Sequence, residues 1–374
     1  MNDIQKWIWQ HPHYPNFSFD REVLSTSLSK VARINGKLEG ILTLVGDKNI
    51  DFFETEASIE EIVASSKIEG EVLNRDSVRS SILKRVGKEE GKDSSTKHTD
   101  GLVEMFLDSS TNHSPMSIER LHGWHNTLFP TGYSGLYKIK VASFRQEEMS
   151  VVSYKGNREI VHYIAVPAKE INRQIDSFLD YINHTKEDPY IKASIAHFWF
   201  VTIHPYDDGN GRIARALANF VLSKELKAMH HYYSISTAIA KDKKRYYELL
   251  EKSQNLFYNR LYDLTDWVLW HTDMINSAIA ESLKQVQIVV DKAIFWERAR
   301  EFVLNERQLK VLNRLLEVGK DGFEGGLSTK KYRAIAKTSI ATAKRDIADL
   351  LDKKLLMQVK GTQGRNVKYE LLLY

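Results

Sequence analysis

The chain of 374 residues contains no cysteine. Disulfides, thiolate metal sites and a cysteine nucleophile are thereby excluded, and the composition fits a reducing compartment. Proline is scarce, with seven in the chain, so few segments are barred from helix by it. Neither sign of charge is in excess: 53 Lys and Arg face 49 Asp and Glu, a formal net charge of +4. No global field for a polyanion exists, and a nucleic-acid role would need a local patch. The opening stretch MNDIQKWIWQHPHYPNFSFD lacks the apolar core of a signal peptide, and no run approaches the ~20 apolar residues of a membrane span. A cytoplasmic protein without membrane association is expected.

Apolar residues recur mostly at helical spacing. Ile213, Leu217, Phe220 and Val221 follow i, i+4, i+7, i+8, as do Ile171, Ile175, Phe178 and Leu179. The fold class read from this is mainly α. RVGKEEGKDSST (Arg85 to Thr96) superficially resembles a phosphate-binding loop. Only three residues separate Gly87 from Gly91, Asp93 follows Lys92 and no buried strand precedes, so it reads as a linker. LYKIKVASF (Leu136 to Phe144) and MSVVSY (Met149 to Tyr154) flank RQEE, and their β-branched content suggests a hairpin. A lone two-stranded hairpin is marginal in water, so it must pack on the helices or serve a function. From about Glu301 the pattern changes. LNERQLKVLNRLLE reads as one helix, Ser328 caps a second, and a third is capped near Thr338 or Ser339; two alternating stretches around KGTQGRN then read as a hairpin. Three helices and a hairpin describe a winged helix over residues 300–374.

The densest chemistry lies in HPYDDGNGRIAR, His204 to Arg215. A glycine-rich turn opening a helix is an anion site, because its N–H groups point outward and the helix dipole adds positive potential. Arg212 and Arg215 stand at i, i+3 and can reach one side, suited to phosphate. Asp208 is a hard oxygen donor, and a carboxylate beside phosphates implies Mg²⁺. His204 can take a proton from an attacking hydroxyl. Together these parts describe transfer from a nucleotide triphosphate. A plain helix cap with ion pairs would not need the whole set. Metal hydrolysis by His204, Asp207 and Asp208 supplies too few ligands and leaves the arginines without a role.

This stretch closely resembles the Fic family signature H-P-F-x-D/E-G-N-G-R-x-x-R, departing only by Tyr206 for phenylalanine. The resemblance implies a Fic-type helical core and an adenylyltransferase that moves AMP from ATP to a Ser, Thr or Tyr hydroxyl of a protein. By the family pattern His204 is the general base, Asp208 holds Mg²⁺ and Asn210 contacts the α-phosphate. Gly209 and Gly211 line the anion hole, Arg212 grips the β-phosphate region and Arg215 reaches the γ-phosphate. A phosphorylating branch carries lysine at the position of Gly211, so glycine there argues for nucleotide transfer. The hairpin, about 136–154, resembles the family's flap, which captures a target segment by strand addition. Tyr246 and Tyr247 in RYYELLEKSQ resemble tyrosines near the adenosine end, although an aromatic stripe is more often core. His122 and His125 at i, i+3 read as packing histidines, since no carboxylates converge nearby.

IEEIVASSKIEGE (Ile59 to Glu71) has helical period, with Ile62, Ser65 and Glu69 in one stripe. It matches the inhibitory motif [S/T]-x-x-x-E-[G/N] of self-restrained Fic proteins, which implies that Glu69 pairs with Arg215 and denies the γ-phosphate its seat. WIWQHPHYPNFSFD resembles the N-terminal domain of unassigned function that commonly precedes this core. The expected organisation is an N-terminal helical domain over 1–95 with the inhibitory helix at 57–70, a catalytic core over 96–290 and the winged helix over 300–374. Lys344 and Arg345 on its third helix, with Lys360, Arg365 and Lys368 around the wing, suit DNA phosphates, diluted by Asp346, Asp349 and Asp352. The sequence leaves open removal of AMP by the same site, a DNA-binding regulator, self-modification and a homodimer.

Overall fold

The computed structural model describes residues 5–88, 93–156, 158–226, 232–322 and 326–373. Among the described residues the fold is mainly α, as the apolar spacing predicts. The first helices are α1 (Arg21–Leu42), α2 (Asp47–Ile68), α3 (Arg75–Arg85), α4 (Lys97–Thr111) and α5 (Ile118–Leu128). Four short strands follow, β1 (Tyr133–Ser134), β2 (Tyr137–Lys138), β3 (Ser150–Lys155) and β4 (Arg158–Ile164). Then come α6 (Ile171–His184), α7 (Pro189–Ile203), α8 (Asn210–Leu226), α9 (Ile235–Lys241), α10 (Lys243–Gln254) and α11 (Thr265–Ala299). The C-terminal elements are α12 (Glu306–Gly322), α13 (Thr329–Ala336), α14 (Ile340–Asp352), β5 (Leu356–Gln358) and β6 (Tyr369–Leu371).

The chain forms two compact units, 1–39 with 48–282, and 40–47 with 283–374. Residues on both sides of the boundary expected near 95 fall in the first of these units. Gly91 and Lys92 of the phosphate-loop look-alike lie outside the described residues.

The first unit is built on α7 and α8. Asp188 caps α7 by accepting from the N–H groups of Tyr190 and Ile191, and Pro189 takes the first turn, where its missing N–H costs nothing. Residues 190–203 of α7 are all buried. Such a helix, apolar all round, needs neighbours on every side. α6 covers it through Phe178, whose ring meets Trp199 edge-on at 5.6 Å, and α8 packs along it while also meeting α4 and α5. α2 is longer than the expected 57–70. It ends in a Schellman turn, with Glu71 N–H donating to Ser66 O at 3.0 Å and Gly70 N–H to Lys67 O at 3.0 Å. Gly70 has φ +86°, the left-handed conformation that favours glycine there.

The expected hairpin pairing is wrong. β3 pairs antiparallel with β4, Ser150 opposite Ile164 and Lys155 opposite Arg158, whereas Tyr137 and Lys138 pair back with Ser134 and Tyr133. The strands meet at Lys155 and Arg158 rather than across RQEE, because Arg145 there is buried and committed to other contacts. The β3–β4 ribbon is anchored at its base by Tyr163, 2% exposed, whose hydroxyl donates to Thr202 O at 2.7 Å. Trp9 Nε1 also donates to Ile164 O at 2.8 Å.

In the second unit Ser328 and Ser339 cap α13 and α14 as expected. Leu312, Leu315, Tyr332, Ile347, Leu350 and Leu356 share its core. β5 and β6 form an antiparallel hairpin. Asp346 does not dilute a basic surface: its carboxylate is turned inward, accepting from Arg307 Nε at 2.9 Å and from the Tyr332 hydroxyl at 3.2 Å. Lys344 and Arg345 are exposed. The Arg365 side chain lies outside the described residues.

Candidate functional site

The site forms where α7 ends and α8 begins. His204 closes α7 in the left-handed conformation, φ +53° and ψ +58°, unusual for a residue with a Cβ and a sign of a loop fixed by its surroundings. The fixing group is Arg145, 2% exposed. Its Nε donates to His204 O at 2.7 Å, its Nη1 to Glu147 O at 2.8 Å and its Nη2 to Val166 O. Nothing in RQEE marked this arginine as structural, because its His204 and Val166 partners are carbonyls distant in sequence.

His204 Nδ1 lies 3.1 Å from Val201 O, so Nδ1 carries the proton and Nε2 is left as the basic nitrogen. Burial holds the His204 pKa below its ordinary value, against the raising effects of the Val201 carbonyl, Glu69 and Asp208. The ring is therefore neutral near pH 7, the form a general base requires.

Tyr206 is fully buried, and its extra hydroxyl meets His122 Nδ1 at 2.9 Å. His125 stacks on the Tyr206 ring at 4.1 Å, accepts from Ala142 N–H at 3.1 Å and donates through Nε2 to Asp208 O at 3.2 Å. Burial lowers its pKa to about 4, so it stays neutral. Both histidines are loop supports, in agreement with the packing reading. Asp208 Oδ1 accepts from Gly209 N–H at 2.5 Å, and Oδ2 accepts from the Ser134 hydroxyl.

Asn210 also holds the turn that opens α8. It is 2% exposed, and its amide exchanges two hydrogen bonds with the Tyr206 backbone, at 3.0 and 2.8 Å. It ties the turn closed. Gly209 has φ +82°, and a Cβ there would come within 2.8 Å of the Phe129 ring. Gly211 is required for another reason: a Cβ would overlap Glu69 Oε1.

The sequence correctly brings Glu69 and Ser65 to Arg215. Arg215 Nη2 donates to Glu69 Oε1 at 2.7 Å and to Ser65 O at 2.9 Å, and its Nε donates to Ser65 Oγ at 2.9 Å. The Arg215 side chain is 2% exposed and that of Glu69 is 32% exposed. Burial opposes the guanidinium charge, and Glu69 more than offsets this, so the Arg215 pKa stays above its usual value. The carboxylate thus occupies the seat beside the first turn of α8, where dipole and arginine favour an anion. α2 is fixed in register by Glu61, 4% exposed, which accepts from Ser236 N–H at 2.9 Å and Ser234 Oγ at 2.9 Å at the start of α9. Arg212 is also engaged, with Nη1 donating to Glu71 Oε2 at 3.1 Å and its guanidinium 5.1 Å from the Phe129 ring centroid. Glu61 and Glu71 were not singled out in the sequence, where each reads as one more acidic residue of a helical stretch.

Tyr246 does not present itself to a ligand. It is 2% exposed, bonded to His197 Nε2 at 3.0 Å and stacked on Trp270 at 5.7 Å. Tyr247 is part-exposed, and its hydroxyl donates to Ile68 O at the end of α2 at 3.3 Å. Among the described residues no group of three or more His, Asp or Glu could hold a metal ion, and no helix is long and apolar enough to cross a membrane.

The site joins a helix N-terminus carrying two arginines, a neutral histidine beside it and a carboxylate seated on Arg215. Comparison with known proteins gives the family. The Fic/DOC family model matches residues 115–222, and a domain of unknown function (DUF4172) matches residues 7–87. Protein adenylyltransferase fic-1 of Caenorhabditis elegans is 34% identical over 65 residues, 17% of this chain and 13% of that protein. Protein adenylyltransferase Fic of Nematostella vectensis is 35% identical over 77 residues, 19% of this chain and 18% of that protein. The chain therefore matches less than a fifth of the length of these relatives. A crystal structure of a Fic family protein from Desulfovibrio desulfuricans superposes with a TM-score of 0.53 at 19% identity, covering 92% of this chain and 95% of that one. Residues 115–222 thus carry a Fic/DOC family domain.

Proposed function

We propose that the chain is a protein adenylyltransferase restrained by Glu69. The observation that carries this reading is the 2.7 Å ion pair between Glu69 and Arg215 at the N-terminus of α8, beside a His204 whose Nε2 is basic and neutral. A target hydroxyl oxygen attacks the α-phosphorus of ATP while Nε2 takes its proton. The bond from that phosphorus to the α,β-bridging oxygen breaks, and pyrophosphate leaves. Arg212 and Arg215, with the N–H groups opening α8, bind the β- and γ-phosphates; Asn210, whose amide also closes the turn, contacts the α-phosphate. Asp208 supplies an oxygen donor suited to Mg²⁺, and with no carboxylate cluster among the described residues the ion would be held mainly by phosphate and water. Mg²⁺ there would neutralise phosphate charge. The target is a protein whose extended segment pairs with the β3–β4 ribbon, since among the described residues those strands pair only with each other.

While Glu69 is seated, the γ-phosphate loses Arg215 and ATP binds unproductively. The test is transfer of label from α-labelled ATP. Wild type transfers little, Glu69→Gly transfers more, and His204→Ala abolishes transfer. Equal labelling by Glu69→Gly with and without His204→Ala would overturn the assignment. The exposure of Lys344 and Arg345 on α14 favours a second role for residues 300–374 as a winged helix that contacts DNA phosphates. A salt-dependent gel shift by the full chain, lost in Lys344→Glu/Arg345→Glu, tests it.

A further inference from the structure

Two carboxylates, not one, reach the arginines of α8. Glu69 and Glu71 stand either side of Gly70, whose left-handed conformation turns the chain so that both point toward the same helix. Glu69 meets Arg215, and Glu71 Oε2 accepts from Arg212 Nη1 at 3.1 Å. The other oxygen of Glu71 accepts from His98 Nε2, so the residue bridges α4 to α8. The Arg212 side chain is 7% exposed and that of Glu71 is 32% exposed, which leaves the contact partly shielded from solvent. His98 holds the Glu71 carboxyl below its usual range, ahead of burial and Asp208, which push it up.

We propose that Glu71 is a second restraining residue, which occupies Arg212 and keeps it from the β-phosphate while His98 holds Glu71 in place. This rests on the functional reading above and adds to it. The inhibitory element is then the sequence E-G-E. Glu69 governs the γ-phosphate seat and Glu71 the β-phosphate seat, so the two are separable by nucleotide.

Calorimetric titration of the full chain with ADP, ATP and AMP in the presence of Mg²⁺ reads this directly. Glu71→Gln should tighten both ADP and ATP by about fivefold, the worth of one partly buried charge-assisted contact, and leave AMP unchanged. Glu69→Ala should tighten ATP and leave ADP near wild type. His98→Ala should move ADP in the same direction as Glu71→Gln by a smaller factor. It also guards against a fold defect peculiar to position 71. If Glu69→Ala tightens ATP while Glu71→Gln and His98→Ala leave ADP and ATP at wild-type affinity, Glu71 is no brake and the functional reading survives. Tightening of ATP alone by Glu71→Gln would also remove the assignment to Arg212. If no variant binds any adenine nucleotide, the functional reading itself fails and takes the proposal with it.

Discussion

Glu69→Ala should make the protein less stable alone and more stabilised by ATP. Arg215 is 2% exposed, and removing one partner of a fully buried pair costs about 3–5 kcal/mol. Two features reduce that figure. The Glu69 side chain is 32% exposed, so solvent screens the pair, and Arg215 keeps its bonds to Ser65 Oγ and Ser65 O, both at 2.9 Å. The remaining cost is about 1–2 kcal/mol, the range of a charge-assisted hydrogen bond. At roughly 2–4 °C per kcal/mol for a unit of this size, the melting temperature should fall by about 2–8 °C. ATP then supplies the missing anion. At 100 times its dissociation constant a ligand adds about 2.7 kcal/mol, and the variant should gain this in full. In wild type Glu69 keeps Arg215 from the γ-phosphate, so its gain at the same ATP concentration is smaller. Thermal melts with and without Mg-ATP check both halves. Wild-type melting of the apo variant together with equal ATP shifts in both proteins would refute the claim that Glu69 holds the anion seat.

Gly211→Ala should displace Glu69, because the new Cβ overlaps Oε1. Its effect on stability should shrink when Glu69 is already Ala, a coupling read by a double-mutant cycle of melts. Label transfer by Glu69→Gly should stay flat from pH 8 down to 7 and fall only below the ordinary histidine value of 6.5. The lowered His204 pKa keeps the base neutral until then, and an acid limb above 6.5 would contradict it. Tyr206→Phe removes the hydroxyl bonded to His122 and should cost about 1 kcal/mol of stability with transfer by Glu69→Gly within about twofold. A loss of activity with unchanged stability would assign that hydroxyl a role in the reaction.

The parts of the site legible in the sequence are those where one helix carries several contacts at fixed spacing. Ser65 and Glu69 at i, i+4 and Arg212 and Arg215 at i, i+3 fix which side chains share a face, and the His204–Arg215 turn is contiguous. Helical period likewise gives α6 and α8. The strand pairing was not legible, because β-branched content marks 136–144 and 149–154 alike, while the decisive facts are the buried Arg145 and the pairing of Lys155 with Arg158. The roles of Asn210, Arg145, Glu61 and Glu71 depend on burial, and a polar residue's burial is decided by elements distant in sequence. Asn210 is the instructive one: an amide in a phosphate-binding turn invites a ligand role, and its bonds to the Tyr206 backbone add a structural one that spacing does not show.

The central claim is that Glu69 holds the place of the terminal phosphate. A crystal structure of Glu69→Gly with Mg-ATP tests it most directly. The account predicts the γ-phosphate on Arg215, the β-phosphate on Arg212 and the α-phosphorus open to a hydroxyl within reach of His204 Nε2. A γ-phosphate placed away from Arg215, or the same nucleotide pose in wild type with Glu69 still paired, would contradict it.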